Sequence, residues 1–199
     1  VASVIAMLAI GQGSKRSIQK QISEMGSNMI MIHPGGEMRG GVRQDASSMQ
    51  TLKLENYETL RDECIFLSDI SPNVSASGQL IAGANNYPSS VSGVSIGYLN
   101  IRQLKIAQGE MFTEEDIRTA AKVCVIGSTI VENLFPDGTD PIGKVIRFSQ
   151  VPLRVVGILE SKGYNSMGMD QDDVVLAPYS TVMKRLLAQT YLSGVFASA

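Results

Sequence analysis

The stretch Thr139–Gly163, TDPIGKVIRFSQVPLRVVGILESKG, decides the fold. Asp140-Pro141-Ile142-Gly143-Lys144 reads as a turn, because proline presets φ at about −65° and glycine permits positive φ. Val145 to Phe148 predicts a short strand with Ile146 and Phe148 on one face. Ser149-Gln150 joins it to Val151–Leu159, a longer strand rich in β-branched residues, although the connection lacks the Asn-Gly or Gly signal of the best hairpin turns. Pro152 has no backbone donor and belongs at the strand's beginning or at an edge. Alone, the stretch is a β-hairpin in a mixed α/β domain.

Upstream, Lys122–Ile126 predicts a strand, and Ser128 a cap for a helix carrying Ile130, Val131, Leu134 and Phe135. Thr113-Glu114-Glu115-Asp116 resembles a capping box opening a short helix. Val74–Ile81 and Ser89–Ser95 read as strands around an Asn85-Asn86 turn. Leu54, Tyr57, Leu60 and Cys64 mark the inner face of a helix of about eleven residues. Asn28–His33 is a nearly continuous apolar run, suited to a strand buried on both faces. With that helix and Val74–Ile81 it predicts a βαβ unit of right-handed crossover.

Before it, Ile18, Ile22 and Met25 recur at helical spacing, with Lys15, Arg16, Gln19 and Lys20 facing elsewhere and Gly26 as a stop. Val1–Ile10 is apolar apart from Ser3. Ten residues cannot span a bilayer, which takes about 20. The run reads as a buried helix start or as the outer end of a membrane helix, and no basic n-region precedes it to complete a signal peptide.

Residues 35–50 and 161–173 predict long mobile loops, candidates for partner contact. Val174–Ala177 predicts a strand stopped by Pro178. Ser180 then caps a helix with Val182, Met183, Leu186 and Leu187 inward, and Tyr191–Ala199 is one more strand.

Composition narrows the function. The 199 residues carry a net charge of −2 and 6% aromatic residues, which offers neither the basic field nor the stacking platforms of a nucleic-acid binder. Two cysteines, Cys64 and Cys124, make no disulfide framework and read as two buried thiols. His33 is the only histidine, so any His-based zinc site or catalytic triad would have to be built on it. Gly11-Gln12-Gly13-Ser14-Lys15 lacks phosphate-loop spacing, and Ser17-Ile18-Gln19-Lys20 matches SxxK without its companion motifs. Asp170, Asp172 and Asp173 crowd one loop and could hold Ca²⁺, but the loop has neither the glycine nor the glutamate spacing of an EF-hand. No catalytic, cofactor-binding or metal residue is nominated, and no cofactor is expected.

Several blocks carry a resemblance to a known family. Val94–Ile117 (VSIGYLNIRQLKIAQGEMFTEEDI), Ala121–Ser128 (AKVCVIGS), Leu134-Phe135, the hairpin stretch and Asp172–Ser180 (DDVVLAPYS) stand in register. Together they resemble the extracytoplasmic core domain of MacB-type ABC transporter permeases, from about residue 1 to the end of the chain. That family often has a small hydroxyl residue where Lys53 stands, so the helix after it is expected to lose an N-cap.

The resemblance implies an α+β fold: a porter-like βαβ half plus a small inserted α/β subdomain (Sabre-like), preceded by a stalk helix. Residues 1–27 would be the end of the first membrane helix and the stalk. Residues 28–93, continued by 190–199, would form the porter-like part, and residues 94–189 the insert. It further implies that residues 28–81 supply the first of two βαβ-type units and 191–199 only the opening strand of the second. That edge is then expected to fray or to pair with another molecule.

By the same resemblance the domain is not an enzyme. It transmits ATP-driven motion across the membrane, to export or release a substrate from the periplasmic side. Implied partners are a cytoplasmic ABC ATPase domain or subunit, a second permease copy and the membrane, with a periplasmic adaptor and outer-membrane channel left open, and no nucleic acid. The implied location is the inner membrane, with this domain on the periplasmic side. Alternatives are a Lol-like lipoprotein-releasing domain, an FtsX-like hydrolase-activating domain, or a free-standing periplasmic solute-binding protein.

Overall fold

The computed structural model describes residues 28–35, 38–39, 42–43, 50–165 and 168–199. The stalk-helix and membrane-helix expectations for residues 1–27, and most of the loop expected over 35–50, lie outside them. In chain order the elements are β1 (Met29–Ile32), β2 (Met38–Arg39), β3 (Val42–Arg43), α1 (Leu54–Glu63), β4 (Asp69–Ala82), β5 (Asn85–Val94) and α2 (Tyr98–Ile101). There follow β6 (Ile106–Gly109), α3 (Glu114–Thr119), β7 (Val123–Ile126), α4 (Ser128–Leu134), β8 (Val145–Phe148) and β9 (Val151–Leu159). Last come β10 (Val175–Pro178), α5 (Tyr179–Thr181) running on as a π-helix over Val182–Leu187, and β11 (Gly194–Ser198).

The β8–β9 hairpin forms as its sequence predicts. Ile146 and Phe148 are buried while Val145 and Arg147 are exposed, and the two-residue turn closes with Ser149 at φ 54°. A serine thus takes the left-handed conformation that a glycine would supply. Pro152 lies where β9 pairs only with β8; pairing with β7 begins at Arg154.

β9 lies parallel to β7, β7 antiparallel to β10, β10 parallel to β5, β5 antiparallel to β4, and β4 antiparallel to β8. The strands β4, β5, β10, β7, β9 and β8 therefore close a barrel. β6 extends it along the second half of β9. Inside lie alternate residues of each strand, among them Val74, Leu80, Val91, Ile126, Leu153 and Val175, all at 0% exposure. Gly78 on β4 leaves room for the Phe148 ring: a Cβ there would stand 2.8 Å from its Cζ.

The first half of β4 belongs elsewhere. Asp69–Asn73 pairs with β11, which pairs on its other side with β1, both antiparallel. β1 and β4 are thus parallel with β11 between them, a split βαβ arrangement. The βαβ unit read from the sequence has its two parallel strands here, but local periodicity carries no information about a distant strand intervening between them. β11 is consequently an interior strand, and the open edge expected at 191–199 is absent. β1 is the edge instead, with Ile30 and Met31 45% and 42% exposed rather than buried on both faces. Edge strands expose one row of backbone groups and half of each face.

Helix ends also differ from expectation. α3 is capped as predicted: Thr113 Oγ1 accepts from Asp116 N at 3.2 Å, and Asp116 accepts from Thr113 N at 2.8 Å. Lys53 stands at the N-cap of α1 with no side-chain cap bond, but Asn56 Oδ1 accepts its backbone N–H at 2.9 Å. The cap of α4 is Gly127, not Ser128; a Cβ at Gly127 would sit 2.0 Å from the Asp172 carbonyl oxygen. Pro178, not Ser180, precedes α5, and the Ser180 hydroxyl donates to the Ile117 carbonyl. Leu187 is 37% exposed rather than inward, since a π-helix turns each side chain through a smaller angle than an α-helix. Asn85 opens β5, and the turn before it is made by Gly83 at φ 59° and Ala84.

Candidate functional site

A cleft of about 540 Å³ separates α1 from α5 and the π-helix that continues it. On one wall α1 presents Glu55 and Glu58. On the other, α3 and the π-helix present Arg118 and Lys184, and Leu54, Ile117, Tyr179 and Met183 make an apolar floor. The volume falls within the range of small-molecule sites, about 300–1,000 Å³.

Its walls are fixed by separate devices. α5 packs directly on β5 at Gly93, where a Cβ would stand 2.8 Å from Val182 Cβ and 2.9 Å from Tyr179 Cα. Ser180 and Thr181 donate to the carbonyls of Ile117 and Ala121, tying α5 to the C-terminal half of α3 and the turn that follows it. α1 is held by Tyr57, buried at 5% exposure, with Arg61 5.8 Å above its ring. Burial raises the Tyr57 phenol above its ordinary range, with Arg61 partly opposing; burial likewise raises Tyr179.

Chemically the cleft offers charged walls around an apolar floor. Ser180 has its hydroxyl committed to a carbonyl. Arg118 is held by Glu115 through bonds of 2.7–2.9 Å. Glu55, Glu58 and Lys184 confront one another as charged rims of opposite sign over an apolar base.

The residues singled out in the sequence fall elsewhere. His33 is exposed just past β1. The SxxK-type and phosphate-loop-like motifs of residues 11–20 lie outside the described residues. Cys124 is fully buried, and burial pushes its thiol far up; Cys64 is only half-buried, and both are free.

The three aspartates do not converge on one point. Asp172 is 6% exposed and accepts from Ser161 Oγ, Lys162 N and Gly163 N at 2.5–2.9 Å. Burial opposes its ionisation, but these donors and Ser128 outweigh it and hold its carboxyl below the usual range. Asp170 accepts from Thr129 Oγ1 at 2.6 Å, and Asp173 from Ser89 Oγ at 2.7 Å. Each carboxylate is occupied by protein donors, so the loop expected to be free is stitched to α4, β5 and its own first turn.

Sequence reasoning did not find the cleft. Tyr57 lay on a predicted apolar face and Tyr179 after a predicted strand stop, but nothing in either pattern said that they meet.

Comparison with known proteins gives the fold a family. The profile of the MacB-like periplasmic core domain matches residues 1–199. The Macrolide export ATP-binding/permease protein MacB of Syntrophobacter fumaroxidans is 40% identical over 200 residues, covering 100% of this chain and 28% of that protein. The protein of the same name from Chlorobaculum tepidum is 36% identical, over 98% of this chain and 30% of its own length. The chain thus spans 28–30% of the length of these relatives.

Among solved structures, the periplasmic region of MacB from Actinobacillus actinomycetemcomitans superposes with a TM-score of 0.74 at 25% identity, over 89% of this chain and 77% of that one. The extracellular domain of the noncanonic ABC-type transporter YknZ from Gram-positive bacteria shares the fold, with a TM-score of 0.70 at 16% identity over 86% and 83% of the two chains. No helix among the described residues is long and apolar enough to cross a membrane. With the profile matched from end to end and relatives at this identity, the chain belongs to the MacB-like periplasmic core domain family.

Proposed function

We propose that this domain works on the periplasmic side of the inner membrane, as the moving part of a MacB-like ABC transporter permease. ATP-driven motion would pass through flanking membrane helices to export or release a substrate. The end-to-end likeness to proteins whose names join ATP-binding to permease carries this reading. ATP hydrolysis would reside in a separate ATPase domain or subunit. A second permease copy would complete the transporter, with a periplasmic adaptor and an outer-membrane channel as further partners. The names of the relatives make macrolides the first compounds to test.

In this reading residues 28–93 with 190–199 form the porter-like part and residues 94–189 the insert. β4 and β5 of the first range pair with β8 and β10 of the second, and in this reading the cleft between α1 and the π-helix is where one part moves against the other. Relative motion of packed elements about such a seam is a familiar form of domain closure.

The test is a complete transporter carrying Glu58→Cys and Lys184→Cys, bridged across the cleft by a short bifunctional maleimide. Loss of export with ATP hydrolysis retained is expected. Unchanged export by the bridged protein would overturn the reading.

A further inference from the structure

The barrel leaves one outer face bare. On β4, β8 and β9 the outward residues that alternate with the buried ones include Gln79 and Ile81, Val145 and Arg147, and Pro152 and Arg154. None of these six is buried and none is acidic. The whole run from Pro141 to Leu159 holds three cations and no carboxylate, in a chain of net charge −2.

The strand register sets two of those cations side by side. Val145 lies opposite Arg154, and Arg147 lies opposite Pro152. Arg147 and Arg154 are therefore diagonal neighbours, with Cα atoms about 7–8 Å apart. Ile81 of β4 flanks Arg147 on its other side, so the pair is seated on three strands of the barrel wall. Neither guanidinium makes a hydrogen bond or an ion pair with a described residue; the ion-paired arginines there are Arg61 and Arg118. Two like charges on neighbouring strands repel, a cost that nothing within the fold offsets. Val145, 52% exposed, adds an apolar contact beside both.

The missing counter-charge has a definite geometry. Arginine grips a carboxylate through two parallel hydrogen bonds, and the strands hold both forks at a fixed separation. Carboxylates two residues apart on an extended segment share one face and lie about 6.6–6.8 Å apart, which matches. The position of the face favours a protein over a lipid. Asn28 Nδ2 donates to Ala199 O, and Ser68 N donates to Ser198 O beside Asp69, so both ends of the described fold gather where β4 begins. Ile81 lies twelve residues beyond Asp69, about 40 Å along the strand. In the proposed function the membrane helices flank that first end, and the arginine face is remote from the bilayer. This choice of partner rests on that reading; the carboxylate site itself does not.

We infer that the outer face of β8 and β9, centred on Arg147 and Arg154, docks an extended acidic segment of an extracytoplasmic partner protein. Carboxylates at alternate positions of that segment pair with the two guanidinium groups, and Val145 packs against the residue between them.

The test uses the isotope-labelled 199-residue chain and a soluble eight-residue peptide of alternating glutamate and threonine. Amide resonances of Ile81, Val145, Arg147 and Arg154 should shift and saturate. The same peptide with lysine for glutamate should leave them in place. Arg147→Gln and Arg154→Gln remove exposed, unpartnered groups, and each should weaken the peptide about threefold or more. The double variant should lose saturable binding, and Arg147→Lys, which keeps the charge without the fork, should restore only part of it. Arg185→Gln, which removes an exposed cation of the π-helix, should change nothing. Absence of a saturable shift overturns the inference, and so does an equal loss in Arg185→Gln, which reduces the effect to net charge. Displacement experiments with phosphatidylglycerol vesicles and with alginate separate the other anions. If either binds through these arginines more tightly than the peptide, the occupant is a lipid surface or a glycan and the inference falls. None of these readings depends on transport, so failure here is distinguishable from failure of the proposed function.

Discussion

Tyr57 of α1 meets Tyr179 of α5 edge-on, with ring centroids 6.0 Å apart and planes at 62°. This geometry sets the positive edge of one ring against the negative face of the other, worth about 0.5–1.5 kcal/mol beyond the area buried. The contact rivets α1 to α5.

Tyr57→Ala should destabilise the domain by about 3–5 kcal/mol, the usual range for truncating a buried aromatic residue. In a double-mutant cycle with Tyr179→Ala, denaturant unfolding should give a coupling of about 1 kcal/mol. Strict additivity would show that the rings touch without supporting each other.

Gly93→Ala tests the seating of α5 on β5. The added Cβ would press on Val182 Cβ and Tyr179 Cα, neither the free end of a flexible chain. A loss of about 1–3 kcal/mol is expected, as for overpacking elsewhere. Amide exchange in Tyr179–Leu187 should accelerate before exchange in β9 does. An unchanged melting temperature would mean that the helix yields at no cost.

Asp172 should give the domain an acid-sensitive component. Its folded pKa lies below the ordinary 3.8, so the unfolded chain takes up the proton first. Its stabilisation is complete above that value and is lost as pH falls through the folded pKa. Asp172→Asn should cost about 1–3 kcal/mol at neutral pH, because three donors lose their charged acceptor. The difference between parent and variant should shrink as pH drops below 3.8. A difference independent of pH would place the cost in packing instead.

The two thiols should separate cleanly. Cys124 lies in β7 at 0% exposure with its thiol pushed up by burial, and Cys64 caps the end of α1 half-exposed. A maleimide should label the native chain once, at Cys64, and twice after denaturation. Native labelling of Cys124 would mean that the barrel opens.

Local patterns fixed local outcomes. The alternation in Val145–Leu159 gave a hairpin with the right residues inside, because side chains on a strand alternate faces whatever the partner strand is. Thr113 and Asp116 gave a helix start, because the cap closes within one turn. The ordered blocks from Val94 to Ser180 identified the family, and the matched profile agrees. Asp172 shows where such reading stops: it was one of three crowded carboxylates on a predicted mobile loop, yet the fold wraps Ser161 and Gly163 around it.

The same limit governed the topology. Periodicity states which face of a strand is buried, but not which distant strand lies beside it. So the sequence suggested β1 and β4 as the strands of one βαβ unit and an open edge at 191–199, while pairing across the chain set β11 between them and left β1 at the edge. It also gave no sign that β4 is long enough to serve both sheets, or that Tyr57 and Tyr179 meet across a cleft. Those relationships arise only when barrel closure and the split βαβ unit compete for the same strand, and that competition is decided by the whole of the packed core.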